Sequence, residues 1–254
     1  MTKRNVNDLI TWSPSHLITS AKRGFTLAEV LITLAIIGIV AAMTIPTLIS
    51  NHKKKTVETR LAKFYSTMTQ AMQLSTVKNG YYTTWENLEN QRIEREDGSA
   101  YYYTANALEW FNKYLISYLK ISKIEEVANS EEGKVAVYFP DGSLMLFSAS
   151  SFVFYPYAQD YEKSIVDEES GLVGRNRDVS GINYFTFSFS SNSEWLKGNG
   201  FMPYLSGYWD GTREDLLNDP IVGCNENAEV ERAFCTKLIQ MNNWKIPDDY
   251  PFKF

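Results

Sequence analysis

The sequence predicts an α+β fold in which a long amino-terminal α-helix packs on a globular domain with an antiparallel β-sheet. Three observations support this prediction. An apolar run of membrane length extends from residue 25 to about residue 49. Apolar residues then recur with a helical period as far as residue 71. Beyond residue 130, short apolar runs are separated by turn residues, as in strands joined by hairpins.

The apolar run is long enough for a transmembrane helix and holds one carboxylate, Glu29, near its start. An ionised side chain inside hydrocarbon costs about 2.5–3.5 kcal/mol on insertion scales. Because this cost opposes insertion, we expect Glu29 to pair with a partner that neutralises its charge. Glu29 is therefore a candidate functional residue.

Pro46 lies near the end of the apolar run. A proline inside a helix removes one hydrogen bond and clashes with the preceding turn, so we expect a kink or local melting near Ala42–Pro46. The alternative is that the helix ends there. Continuation is favoured because apolar residues recur beyond Pro46 at alternating spacings of four and three, a stripe typical of a helix packed on its own domain. The stripe comprises Val57, Leu61, Phe64, Met68 and Ala71.

The globular part contains one helical pattern and four strand patterns. Thr104–Lys120 carries an apolar helical face. The runs 135–139 and 144–147 flank Pro140-Asp141-Gly142-Ser143, a strong hairpin signal. Phe152–Tyr157 and Tyr184–Phe189 are further predicted strands.

The start of the apolar run carries a specific motif: Lys22 and Arg23, then Gly24, Phe25, Thr26, Leu27 and Glu29. This motif resembles the processing and methylation site of the type IV pilin and type II secretion pseudopilin family. The resemblance implies cleavage after Gly24 by a prepilin peptidase and N-methylation of Phe25. It also implies that Glu29 pairs with the Phe25 amino group of an adjacent subunit. The alternative, a signal anchor or secretory signal peptide, needs no glutamate at this position.

The resemblance implies three regions. Residues 1–24 are a leader peptide, and residues 25–79 form a helix that spans the membrane to about residue 49 and is amphipathic beyond it. Residues 80–254 form an extracytoplasmic pilin-like domain of a size suited to one compact unit. Basic residues occur on both sides of the apolar run, so the positive-inside rule does not orient the chain. The family resemblance places the amino terminus in the cytoplasm and the domain in the periplasm or on the cell surface.

The net charge is −5, and the leader carries four basic residues and one acidic residue, so the processed chain carries −8. This acidity disfavours nucleic-acid binding. Cys224 and Cys235 are the chain's two cysteines. In an oxidising compartment they can form a disulfide worth up to about 3 kcal/mol, the alternative being two buried thiols. Family pilins often close a carboxyl-terminal loop with a disulfide, and the resemblance therefore favours a bridge.

The segment 166–181 resembles a pseudopilin segment near a calcium site. Carboxylate and amide oxygens suit that ion, and the candidate ligands are Asp167, Glu169, Asn176 and Asp178. Alternatively, Arg175 and Arg177 pair with the acids on a solvated turn. The sequence predicts no required cofactor, with calcium as one possible ligand.

No enzyme motif emerges from the sequence. The chain has two histidines, His16 and His52, placed in the leader and at the membrane edge, which disfavours a histidine triad or zinc site. Asp160 and Glu162 are a weak carboxylate pair. Trp244, Tyr250 and Phe252 are expected to fill the edge of the core rather than form a binding platform.

The sequence therefore predicts a structural subunit of a type IV pilus-like fibre or a type II secretion pseudopilus. Its expected partners are the prepilin peptidase, other pilin or pseudopilin subunits and an inner-membrane assembly platform. One alternative is a minor tip subunit that binds a ligand or secreted substrate, which the large, aromatic-rich domain favours. The other is a membrane-anchored enzyme.

Overall fold

A computed structural model describes residues 24–94, 100–127, 134–148, 151–162, 177–190 and 200–254. The chain divides into two compact units, Met1–Thr47 and Leu48–Phe254. The described part of the first unit is helical from Leu27 onward, in the first stretch of α1 (Leu27–Asn79). The assigned helix is unbroken through Pro46, so the alternative that it ends at the proline is wrong.

The second unit contains the sheet predicted from the sequence. Within the described residues, six strands form one antiparallel sheet in the order β3-β4-β5-β6-β7-β8. These strands are β3 (Lys123–Glu126), β4 (Val135–Tyr138), β5 (Leu144–Ser148), β6 (Ser151–Tyr155), β7 (Phe185–Ser190) and β8 (Gly200–Pro203). A separate two-stranded sheet pairs β1 (Asn90–Glu94) with β2 (Ala100–Thr104). The α+β prediction is confirmed.

The turn between β4 and β5 shows how local sequence sets the register. Asp141 Oδ1 accepts hydrogen bonds from Ser143 N at 3.2 Å and Ser143 Oγ at 2.6 Å, and Gly142 takes φ +78°, a conformation that suits glycine. Val135 consequently pairs with Phe147, and Tyr138 with Leu144. The predicted hairpin is confirmed.

The carboxyl-terminal half of α1 packs on one face of this sheet. The predicted stripe is confirmed, since Val57, Leu61, Phe64, Met68 and Ala71 are all buried. They share a core with inward residues of the sheet, with α2 (Ala107–Tyr114) and with α5 (Phe234–Met241). Phe64 stacks on Phe154 with ring centroids 4.1 Å apart. The other sheet face buries a smaller cluster around Tyr155 and Tyr184.

The predicted helix over Thr104–Lys120 is wrong at both ends. Thr104 belongs to β2, and α2 stops at Tyr114 before a 3₁₀ turn over Ile116–Tyr118. Asn106 explains the late start: its side chain accepts a hydrogen bond from Glu89 N at 2.8 Å and donates one to Asn87 O at 3.1 Å. These bonds hold a turn before the helix. Two short α-helices, α3 (Gln159–Glu162) and α4 (Arg213–Asn218), and two further 3₁₀ turns over Tyr82–Thr84 and Arg177–Val179 complete the described elements.

The carboxyl-terminal segment lies on α1, held by a buried carboxylate. Glu58, 8% exposed, accepts a hydrogen bond from Ile246 N at 2.9 Å and one from Lys245 Nζ at 3.0 Å. Farther along the segment, Ser50 Oγ donates to the carbonyl of Phe254 at 2.7 Å. Trp244 packs on Tyr65 with ring centroids 5.0 Å apart. Trp244 therefore belongs to the edge of the core, as predicted.

Replacing Glu58 by alanine should lower the free energy of unfolding by about 1–3 kcal/mol, because it leaves the buried N–H of Ile246 without its acceptor. The matched variant Lys245→Ala removes the other half of the pair. Its side chain is largely exposed, so we expect a loss below about 1 kcal/mol. Urea unfolding of both variants in the full processed chain measures the difference, and equal losses would contradict this assignment.

Tyr250 is buried beside the disulfide, and its hydroxyl donates to Gly181 O at 2.5 Å. Gly181 has φ +75°, and a Cβ there would lie 2.6 Å from Cys235 Sγ, so the close approach requires glycine. Burial raises the pKa of Tyr250 above its ordinary value. Because the folded pKa exceeds the unfolded one, the stability that Tyr250 contributes is fully present below about pH 10 and is lost as pH rises above that value.

We therefore expect the free energy of unfolding to be lower at about pH 10.5 than at about pH 8. For this one group the loss sets in near pH 10 and approaches about 1.4 kcal/mol per pH unit above that value. Tyr250→Phe should be less stable near pH 8, because Gly181 loses its donor, and should show a smaller alkaline fall. The two chains are compared at both pH values. An identical alkaline fall in the two chains is the result that would contradict the prediction.

Candidate functional site: the amino-terminal motif

The predicted processing site precedes the first turn of α1. Gly24 and Phe25 lie ahead of the helix and are exposed, and no atom lies within 4 Å of the position that a Cβ on Gly24 would take. Phe25 is 86% exposed. The peptide bond after Gly24 is therefore accessible in the described part of the chain. Lys22 and Arg23 lie outside the described residues.

Glu29 forms a capping box with Thr26. Its Oε2 accepts hydrogen bonds from Thr26 N and Thr26 Oγ1, both at 2.8 Å, while Glu29 N donates to Thr26 Oγ1 at 3.2 Å. This reciprocal arrangement satisfies two backbone donors at the helix start. The capping role of Thr26 was not predicted from the sequence, although the Thr-x-x-Glu spacing is a known signal for it.

The capping box fixes where the carboxylate points. Both hydrogen bonds from Thr26 go to Oε2, and among the described residues no hydrogen bond to Oε1 is found. A carboxylate accepts several hydrogen bonds, so Oε1 can bind a cation while Oε2 keeps its hydrogen bonds from Thr26. The helix amino terminus also favours negative charge at this position. The geometry presents an oriented carboxylate acceptor one turn from Phe25.

The apolar surface of α1 around this carboxylate is uncovered. An 18-residue stretch of the helix is strongly apolar, and none of that stretch is buried within the chain. A helix in the core of a soluble protein would be mostly buried, so this segment is not such a helix. The segment is compatible with a single-pass membrane anchor.

The other predicted site residues are the two cysteines and the calcium candidates. The structure contains the Cys224–Cys235 disulfide. Asp178 is exposed, and its carbonyl accepts a hydrogen bond from Arg232 Nη1 at 2.7 Å. The other calcium candidates, Asp167, Glu169 and Asn176, lie outside the described residues, and the described part of the chain contains no cluster of three or more metal-binding side chains. Calcium binding stays a prediction, testable by calorimetry with millimolar calcium.

Two comparisons define the class of this protein. Residues 19–45 match the prokaryotic N-terminal methylation motif, the signature of type IV pilins and pseudopilins. The resemblance found in the sequence is therefore confirmed, and the chain carries a pilin-type amino terminus. This motif is typical of structural subunits rather than enzymes.

The rest of the chain identifies the family. Residues 47–254 match the model of a family of unknown function, DUF6613, which spans more than half of the chain, and the protein belongs to that family. The comparison with curated proteins gives no match. The comparison with solved structures gives none either.

Proposed function

We propose that this protein is a structural subunit of a type IV pilus-like fibre or a type II secretion pseudopilus. The observation that carries the proposal is the oriented carboxylate of Glu29 on an uncovered apolar helix, directly after a Gly24–Phe25 junction. A prepilin peptidase cleaves after Gly24, and the new amino group of Phe25 is N-methylated. The processed chain then assembles with other subunits on an inner-membrane platform.

Assembly follows from the electrostatics of the helix. In a fibre, the apolar helices leave the lipid and pack on each other, and a buried carboxylate is stable only beside a cation. The amino group of Phe25 on a neighbouring subunit supplies that cation, and Oε1 of Glu29 is the acceptor. Each added subunit thereby finds one register. Before assembly the chain spans the inner membrane once, with the domain in the periplasm, and afterwards the domain lies on the fibre surface.

The aromatic residues favour a structural subunit over the tip-subunit alternative. The large rings lie mainly in the core. Trp85 and Trp110 are buried, and Trp85 stacks on Tyr114 while Trp110 stacks on Phe147. Trp244, which was expected to fill the edge of the core rather than form a binding platform, packs on Tyr65. An aromatic-rich domain therefore needs no ligand to explain its composition.

Mass spectrometry of the mature chain and of sheared fibres tests the proposal. We expect a chain that begins at Phe25 with one added methyl group, present as an abundant fibre component. Gly24→Leu should keep the leader, because a bulky side chain replaces the glycine at the cleavage point. A mature amino terminus elsewhere would refute the proposal, and trace amounts in fibres would assign the chain to the tip instead.

A further inference from the structure

A cleft opens beside α1 at the turn between β4 and β5. Its volume is about 350 Å³, and its floor is made by the rings of Phe64, Phe139 and Phe154. Three cations, Arg60, Lys63 and Lys120, lie at its rim together with one carboxylate, Asp141. The volume is near the lower end of the range for ligand clefts, about 300–1,000 Å³, so the cleft suits a pair of side chains.

The rim is positively charged although the processed chain is acidic. Arg60 donates to the backbone carbonyls of Pro156 and Asp141, so these hydrogen bonds leave its charge unneutralised. Lys63 pairs with the Asp141 carboxylate at 2.7 Å. Lys120 is exposed, and no ion pair to it is found among the described residues. The cleft therefore suits an apolar group carried on an acidic segment.

The disulfide loop, together with the residues just before Cys224, presents such a group. Ile221 is 51% exposed and Val230 is 64% exposed, and Val230 N donates to Ile221 O at 3.0 Å, which brings the two residues together. We call this pair the knob. From Asp219 to Glu231 the chain contains four acids and no lysine or arginine. Glu226 and Glu229, beside the knob, are exposed.

The knob is rigidly held. Asp219 Oδ1 accepts hydrogen bonds from Ile221 N at 2.8 Å and Val222 N at 2.7 Å, and Phe234 N donates to Val222 O at 3.0 Å. The Cys224–Cys235 disulfide closes the loop that contains Val230. A preordered loop loses little conformational entropy on docking.

Knob and cleft share no residue. The knob is tied to α5, which packs on β7 and β8, whereas the cleft lies at the β4–β5 turn. An apolar projection and a complementary pocket at different places on one molecule make a head-to-tail contact, which builds a closed ring or, where the rotation does not close, an open helical filament.

We propose that the Ile221–Val230 knob of one subunit docks in the Phe64–Phe139–Phe154 cleft of a second copy of this chain. This inference rests on the proposed function, since it adds a contact between globular units to the contact between amino-terminal helices. Apolar burial supplies the attraction, and the acids around the knob face the cations at the rim.

Zero-length carbodiimide coupling tests the contact in assembled fibres. Lysine amines and glutamate carboxylates in contact become amide-linked, and fibres mixed from light and isotope-labelled chains identify links between subunits. We expect a link from Lys63 or Lys120 to Glu226 or Glu229. In a chain carrying both Lys63→Arg and Lys120→Arg this link should be lost while fibres persist, because arginine keeps the charge and has no reactive amine.

The variant Val230→Asp separates docking from chance proximity. It should lose the link without lowering the melting temperature of the subunit, because Val230 is exposed, whereas Val230→Leu should keep it. Fibres that yield no such link, or a link from these lysines to a different protein, would overturn this inference and leave the proposed function standing. No fibres from the unaltered chain would overturn both.

Discussion

Replacing Glu29 by valine should abolish fibre assembly while leaving membrane insertion and cleavage after Gly24 intact. Valine lowers the cost of inserting the helix, since it removes a charge worth about 2.5–3.5 kcal/mol in hydrocarbon. In the proposed fibre, the same change leaves the Phe25 amino group of the neighbouring subunit without a counter-ion inside the helix bundle. Removing one partner of a buried pair costs about 3–5 kcal/mol, which corresponds to a loss of more than a hundredfold in association.

A second variant excludes an effect on the helix itself. Glu29→Val also breaks the capping box, so Thr26→Val is the matched control: it removes the Thr26 hydroxyl that completes the box and keeps the carboxylate. Loss of a cap costs about 0.5–2 kcal/mol, and in a helix as long as α1 this should affect the first turn alone. We expect Thr26→Val to assemble at a reduced yield and Glu29→Val not to assemble.

Membrane fractionation, mass spectrometry of the amino terminus and immunoblots of sheared fibres measure insertion, cleavage and assembly separately. Normal fibres from Glu29→Val would refute the pairing. Equal defects in the two variants would instead assign the effect to helix capping.

Replacing Phe64 by alanine should destabilise the second unit by about 3–5 kcal/mol, the usual loss for a buried phenylalanine. Phe64 is 4% exposed, and its ring contacts those of Phe154, Phe187 and Phe201 as well as Phe139. It is the residue through which α1 meets the middle of the sheet. Because domains of this kind have a net stability of about 5–15 kcal/mol, the loss is a large share of the whole.

The control is Val77→Ala on the same helix, where the side chain is 86% exposed and the expected change lies within about 0.5 kcal/mol. Thermal and urea unfolding of the processed chain in detergent measure both variants. A loss at Phe64 no larger than that at Val77 would show that α1 does not depend on this contact. Phe64→Leu, which keeps most of the apolar volume, should fall between the two.

The parts of this fold that were predictable are those with strong local signals. The α1 stripe and the β4–β5 hairpin follow from spacing and turn residues alone. Two of the four strands that were not predicted, β3 and β8, have weak signals: β3 has one apolar residue, Ile124, among lysine and glutamates that favour helices, and β8 is a short edge strand with glycine and proline at its ends. Their pairing is set by neighbours in the sheet.

The candidate site divides in the same way. Gly24, Phe25 and Glu29 were found from a contiguous motif, and the Thr26 cap could have been found from its spacing. Glu58 could not, because a glutamate beside an apolar stripe normally faces water. Its burial depends on Lys245 and Ile246, nearly the whole length of the chain away. Such contacts belong to the tertiary structure and leave no trace in local sequence.

The contact between Phe254 and α1 has a consequence for biosynthesis. Ser50 and Phe254 are 204 positions apart in sequence yet hydrogen-bonded, so α1 leaves the ribosome long before its final partner is made. This contact can form only after the chain has been synthesised as far as Phe254. In a chain truncated before Ile246, the buried carboxylate of Glu58 has no main-chain N–H to accept a hydrogen bond from. Such incomplete products should be degraded by proteases before they reach a growing fibre.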